Sequence, residues 1–160
     1  MAEQVALYTW TLDTSKGPWF SRINRVLRMA DTSSTEVATV QPLIDGIQSA
    51  LEKLPPFEGV VYRAVKQAKM QAEEWSAFLS QFVVDGTVSL QGLSGCTANA
   101  SEMLRGRARM TIISRTGRDI SSLSSKPGQS EVLLSHGTSV VIDLVEYTEN
   151  GAIKIWAHEM

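Results

Sequence analysis

The sequence predicts an α+β domain, and three observations predict it. Apolar residues recur at helical spacing through the first third of the chain, with polar residues off that face. From Gly59 onward the pattern changes to short β-branched runs with period-two alternation. Turn dipeptides such as Asp85-Gly86 and the triplet Glu149-Asn150-Gly151 separate those runs at hairpin distances. Helices first and antiparallel strands after them is the α+β order. At 160 residues this is one domain, 1–160, with a mainly helical part over 1–58 and a β-rich part over 59–160.

Val5-Ala6-Leu7-Tyr8-Thr9-Trp10 is short, apolar and β-prone, and is expected to be a strand. Asp13-Thr14-Ser15-Lys16-Gly17 has loop composition, and a helix then opens at Ser15 or Gly17 ahead of Pro18. Trp19, Ile23, Val26 and Leu27 form its apolar face, and the stretch Asp31 to Ser34 breaks the pattern. A second helix is expected over Thr35–Leu54, where Val40, Leu43, Ile44, Ile47, Ala50, Leu51 and Leu54 form a stripe. Pro42 has to lie near its start or kink it, which moves the expected onset toward Gln41.

Val60 to Val65 reads as a buried strand that contains one arginine, Arg63. A third helix, Met70 to Phe82, turns Trp75, Phe78, Leu79 and Phe82 inward. Thr87 to Leu90 is a short strand, and the small residues of Gly92-Leu93-Ser94-Gly95-Cys96-Thr97 allow a close approach by another backbone or a ligand. One or two helical turns are expected over Asn99–Leu104. Met110 to Ile113 begins the last strands, with a turn at Thr116-Gly117-Arg118-Asp119. Val132 to Leu134 follows, then Ser139 to Tyr147 with Val140, Ile142 and Leu144 on one face, and the return through Ile153, Ile155 and Trp156.

Composition excludes several classes of function. With 43% hydrophobic and 20% charged residues the chain is neither disordered nor membrane-like, and no apolar run reaches spanning length. Met1-Ala2-Glu3-Gln4 does not begin a signal peptide, so a soluble protein is expected, cytoplasmic as it stands or a delivered effector domain. Cys96 is the single cysteine, which excludes an internal disulfide and a cysteine-based zinc site; no metal is expected. His136 and His158 alone supply a histidine-centred triad poorly. The net charge of −2 makes no electrostatic case for nucleic acid, and the cluster of Arg105, Arg107 and Arg109, with Arg115 and Arg118 nearby, reads as a solvated rim.

Chemistry collects at three places in chain order. Arg63 inside an apolar strand needs an anion, either a structural carboxylate or a phosphate. Ser94 and Thr97 put two hydroxyls on the small-residue strand. Gln129 and Glu131 stand two residues apart where the loop Ser121–Gly128 enters a strand, and period two would point both to one face.

In that order these residues resemble the mono-ADP-ribosyltransferases of the Arg-Ser-Glu type, the superfamily of clostridial toxin-like and vertebrate ecto-enzyme transferases. Val61-Tyr62-Arg63 matches the arginine strand, Ser94 to Thr97 the Ser-x-Ser strand, and Gln129-Ser130-Glu131 the Glu/Gln-x-Glu pair. Ile23-Asn24 with Leu27-Arg28, Ala50-Leu51 through Leu54-Pro55, Gly117 to Ser121, and Glu131 to Leu134 followed by Gly137-Thr138 are also family-like. The resemblance implies N-terminal helices packed on a C-terminal pair of mainly antiparallel sheets, with NAD as substrate and no metal.

It further implies that Glu131 stabilises the oxocarbenium-like ribose formed when the nicotinamide bond breaks. Arg63 would hold the phosphates, the backbone at Ala64 would meet the nicotinamide amide, a serine would brace Glu131, and Gln129 would orient the acceptor. Two departures bear on this. Ala64 stands where the family usually has glycine, and Leu93-Ser94-Gly95-Cys96-Thr97 separates its hydroxyls by two residues instead of one. Either Ser94 is the brace, with a local bulge, or Gly95 occupies that place and Thr97 is the second hydroxyl; we assign Ser94. Gln129 replaces the glutamate of arginine-modifying relatives, which leaves the acceptor open between a protein side chain and, as the lesser alternative, a nucleic acid. Rival readings are an NAD glycohydrolase and a catalytically silent binding module. A toxin of this kind would also need a neutralising immunity protein in its producer.

Overall fold

The computed structural model describes residues 2–15, 17–30, 32–67 and 70–160; Met1, Lys16 and Asp31, named above, lie outside these. Helix α1 (Glu3–Trp10) is followed by α2 (Trp19–Leu27) and α3 (Ser34–Lys53). Strand β1 (Pro56–Val65), helix α4 (Ala72–Ser80) and strands β2 (Thr87–Ser89) and β3 (Ser94–Thr97) come next. The chain ends in β4 (Ala108–Asp119), β5 (Glu131–Leu134), β6 (Ser139–Tyr147) and β7 (Ile153–Glu159). Short 3-10 turns lie at Ala100–Glu102, Ser121–Leu123 and Pro127–Gln129.

The expected first strand is helix α1. Ala6, Leu7 and Trp10 are buried against α3, while Val5 and Tyr8 stay exposed. Gly46 of α3 permits the contact, since a Cβ there would lie 2.8 Å from Ala6 Cβ. An eight-residue helix is marginal alone, so this packing overrides the β propensity of the segment. Helix α2 opens directly on Pro18. Helix α3 starts at Ser34, earlier than expected, because the Ser33 side chain accepts from Glu36 N–H at 3.2 Å. Pro42 sits inside it on the exposed face, where the carbonyl it frees is open to water.

The strands hydrogen-bond in the order β1-β3-β5-β4-β7-β6-β2, and an additional β1–β4 pairing joins the network into two limbs. One is β1-β4-β7-β6-β2, in which β4 and β7 run parallel and the other pairs antiparallel. The other is the short pair β3-β5, attached through Tyr62–Thr97 on one side and Arg118–Leu133 and Asp119–Val132 on the other. The α+β class and the mainly antiparallel pairing are therefore as expected.

Two turn or register expectations change. Thr116 to Asp119 is not a turn but the end of β4, which carries a bulge at Arg115-Thr116 against Phe57–Gly59 of β1. The buried Glu159 carboxylate accepts from both bulge N–H groups, at 2.5 Å from Thr116, so the ladder bonds lost there are replaced. In β6 a second irregularity falls between Ile142 and Leu144. It turns Leu144 outward, 44% exposed, and puts Val145 against the core instead.

Two apolar cores flank β5. Val132 and Leu134 pack with α4 residue Trp75, with Phe82, and with the larger limb; Leu133 packs with α1, α2 and α3. A strand buried on both faces is held in register from both sides. Glu131, at its mouth, shares the parity of Leu133 and so faces the helical layer.

Candidate active site

A cleft of about 510 Å³ opens between the helical layer and the β3-β5 limb, lined among others by Trp10, Asn24, Arg28, Arg63, Gln129 and Glu131. Ala64, Gly95, Cys96 and Thr97 also border it. A second, open depression of about 590 Å³ lies by the β6-β7 hairpin over Arg107, Arg109 and Lys154, away from the three predicted clusters.

Arg63 stands near the end of β1, half-buried. Its guanidinium makes no ion pair with Glu131 or with any other carboxylate among the described residues, so the purely structural pairing is absent. Arg28, one turn after Asn24 at the C-cap of α2, turns into the same cleft and donates from Nε to Gln91 O at 3.2 Å. As a residue it is exposed, yet its guanidinium is enclosed enough that burial, and then the like charge of Arg63, lower its pKa. Two cations converging without an intervening anion form a receptor for phosphates.

Asn24 fixes where β3 begins. Its buried amide donates to Leu93 O at 2.9 Å and accepts from Leu93 N–H at 2.8 Å. Gly92, at φ +78°, must be glycine, because a Cβ would meet Asn24 Oδ1 at 2.6 Å. His136 Nδ1 accepts from Gly92 N–H at 2.8 Å, a fixed structural task that takes it out of the chemistry.

Gln129 and Glu131 do reach one cleft, although not by strand alternation. Gln129 ends a 3-10 turn and Ser130 is left-handed at φ 49°, so the chain reverses before β5 starts. Thr97 supports this reversal: its Oγ1 donates to Gln129 O at 2.7 Å, and Ala98 N–H donates to Ser130 O at 2.9 Å.

The expected contact between Ser94 and Glu131 is not formed. Register pairs Ser94 with Leu134 and Thr97 with Glu131, which places Ser94 on the opposite face of the strand, 1% exposed beside Cys96. No bulge brings it round. Gly95 is the residue beside the carboxylate, with its ideal Cβ 3.0 Å from Glu131 Oε1. The donor to Glu131 is instead Trp10, whose indole Nε1 lies 2.9 Å from Oε1. Burial pushes the Glu131 carboxyl up; the Trp10 hydrogen bond and the positive charge of Lys126 pull it down less strongly.

Trp10 and its role at the carboxylate were hidden in the sequence. No local pattern links it to a residue 121 positions away. Asn24 and Arg28 had a signal, the family-like phrases Ile23-Asn24 and Leu27-Arg28, although nothing before folding shows what they touch. Among the described residues no group of three histidine, cysteine, aspartate or glutamate side chains is placed to hold a metal, and no helix is long and apolar enough to cross a membrane.

Comparisons with known proteins bear on the family and the fold. A family model described as ADP-ribosyltransferase exoenzyme matches residues 3–159. Mav of Mycobacterium avium (strain 104), named as an NAD(+)–arginine ADP-ribosyltransferase, is 29% identical over 126 residues. That match covers 79% of this chain and 14% of Mav, so the chain spans a small part of the relative's length. The type III effector XopAI of Xanthomonas axonopodis pv. citri superimposes with a TM-score of 0.77 at 24% identity, over 100% of this chain and 68% of that one. The ADP-ribosyltransferase Vis, solved with agmatine, gives a TM-score of 0.78 at 20% identity, over 99% of this chain and 74% of that one. With the family model matched over residues 3–159, this chain belongs to the ADP-ribosyltransferase exoenzyme family.

Proposed function

We propose that this domain cleaves NAD at the nicotinamide–ribose bond and transfers the ADP-ribose to a protein side chain. One observation carries this reading: Arg28 and Arg63 face a common cleft, free of ion pairs among the described residues, with Glu131 in the same cleft. A dinucleotide supplies what that arrangement lacks, a diphosphate for the cations and a developing positive charge for the carboxylate.

In this reading Arg63 and Arg28 hold the diphosphate, and the backbone at Ala64 meets the nicotinamide amide. The bond between ribose C1′ and the nicotinamide nitrogen breaks, its electron pair leaves with neutral nicotinamide, and the ribose becomes oxocarbenium-like. Glu131 stabilises that cation and hydrogen-bonds a ribose hydroxyl. The acceptor nucleophile then bonds to C1′ and loses its proton to water. Gln129, beside Glu131, orients the acceptor. A neutral amide can neither draw in nor deprotonate a guanidinium as a carboxylate can, so Gln129 favours an acceptor other than arginine, in contrast to the activity for which Mav is named.

The test follows nicotinamide release and the fate of labelled ADP-ribose from NAD, with agmatine and with proteins as acceptors. Wild type should release nicotinamide and label protein, and Glu131→Ala should be slower by at least about 100-fold. Equal rates for the two would refute the enzymatic reading. Free ADP-ribose as the sole product would reassign the domain to NAD hydrolysis. Label on RNA or DNA, weakened by Arg107→Glu, would move the acceptor to nucleic acid.

A further inference from the structure

We propose that the Trp10 indole N–H is the group that positions the Glu131 carboxylate, so that helix α1 takes the bracing task the sequence assigns to Ser94. This rests on the reading that Glu131 carries NAD cleavage.

Four observations support it. First, Nε1 donates to Oε1 at 2.9 Å, and among the described residues it is the one side-chain donor this carboxylate has. Second, the strand residue nearest that oxygen has no side chain. Gly95 leaves room for the indole, whose Cζ2 lies 3.9 Å from where a Cβ would stand. Third, both hydroxyls of β3 are committed elsewhere: Ser94 lies on the opposite face, and Thr97 holds the backbone of Gln129.

Fourth, Trp10 is fixed well enough to act as a brace. It is 3% exposed, packs at 6.0 Å from Phe20, and ends a helix whose next residues are tied to the loop that enters β5. Thr11 Oγ1 accepts from Ser125 N–H at 2.9 Å, Ser125 Oγ donates to Thr11 O at 3.0 Å, and Lys126 Nζ pairs with Asp13 at 2.9 Å. The donor and the acceptor therefore belong to one stitched unit, and the indole arrives from the helical layer where the family pattern has a hydroxyl on the strand. A rigid donor with two side-chain torsions loses little freedom in holding one carboxylate rotamer.

A hydrogen bond that favours the charged form of Glu131 also sets the pH at which it ionises. The other titratable groups around the cleft are Lys126 and Asp13 from the loops, Arg28 from the C-cap of α2, Tyr62 and Arg63 from β1, Lys66 just after it, Cys96 from β3 and Glu102. Neither Trp10→Phe nor Gly95→Ser alters any of these.

Trp10→Phe keeps an aromatic ring in the helical core and removes the N–H. Its kcat for nicotinamide release should fall about 10- to 100-fold, the worth of a hydrogen bond to a charged group. The KM for NAD should stay within about threefold, since diphosphate binding is left intact. The acidic limb of the pH profile should move to higher pH, because Glu131 loses a contact that favours its ionised form.

Adding Gly95→Ser to Trp10→Phe supplies a hydroxyl beside Oε1 in space the indole has vacated. The double variant should recover much of kcat and return the acidic limb toward its original position. A fall in kcat with the acidic limb unmoved and no rescue by the serine would mean a merely structural role and overturn the proposal. So would an unchanged kcat.

A readout independent of catalysis separates this proposal from the enzymatic reading. The Glu131 carboxyl, followed by carbon NMR in NAD-free protein, should titrate at higher pH in Trp10→Phe than in wild type. If it does and no variant releases nicotinamide, the brace stands and the enzymatic reading fails. If the two titrations coincide, the brace fails whatever the activity.

Discussion

Asn24→Ala tests whether helix α2 positions the cleft-facing strand β3. The Asn24 side chain is 7% exposed, and its two hydrogen bonds, 2.9 and 2.8 Å, both end on the backbone of Leu93, itself 1% exposed. Removal leaves one N–H and one C=O of Leu93 buried with no replacement donor or acceptor. Each such group costs about 1–3 kcal/mol, so a loss of about 2–6 kcal/mol is expected, a large share of a small domain's stability. Urea unfolding measures it, with an unchanged slope m as the sign that the loss is in the native state. The control is Gln41→Ala, which removes an exposed bond to Asp45 on α3 and should change stability by less than about 0.5 kcal/mol. NAD affinity should fall with Asn24→Ala even at temperatures where the variant is fully folded, because Arg28 and β3 lose their common anchor. A loss of stability below about 1 kcal/mol, with NAD binding unaltered, would refute the clamp.

Three further outcomes follow from the site. Arg63→Ala should weaken NAD binding about 10- to 100-fold by calorimetric titration, with the melting temperature nearly unchanged, since its guanidinium has no ion pair among the described residues to lose; a marked loss of stability would show that Arg63 is structural. Burial raises the Glu131 pKa, so stability present below the ordinary glutamate range is lost as pH rises through the folded pKa. Glu131→Gln should therefore melt at higher temperature than wild type at neutral pH, with the gap closing below about pH 4.5, while losing nicotinamide release on the proposed reading. Cys96 is 5% exposed and its thiol is pushed up to about 12 by burial, so at pH 8 a thiol reagent should modify the folded protein only as fast as it unfolds; rapid labelling would show that the cleft floor opens in the native state.

Much of this protein is legible in the chain because several of its signals are local. The α3 stripe, the period-two runs of β1 and β6, and the Asn150-Gly151 hairpin are properties of neighbours in sequence, and helices before strands fixes the class. The same is true of Arg63, Gln129 and Glu131, whose residue types in that order carry the family resemblance before any distance is known. The misreadings share a cause. Val5 to Trp10 reads as a strand until α3 offers Gly46 as a seat for a helix. Thr116 to Asp119 reads as a turn until Glu159, 43 residues later, supplies its bulge with an acceptor.

The sequence alone determined the α+β scaffold and the order in which Arg63, Gln129 and Glu131, the groups proposed to carry the chemistry, stand along it. The tertiary structure decided which neighbour holds the carboxylate. That outcome depends on the face to which β3 turns each residue and on which helix arrives at 2.9 Å, and neither is encoded within any short stretch. Strand register and the packing of α1 set them, and they turn Ser94 away from Glu131 and bring Trp10 to it.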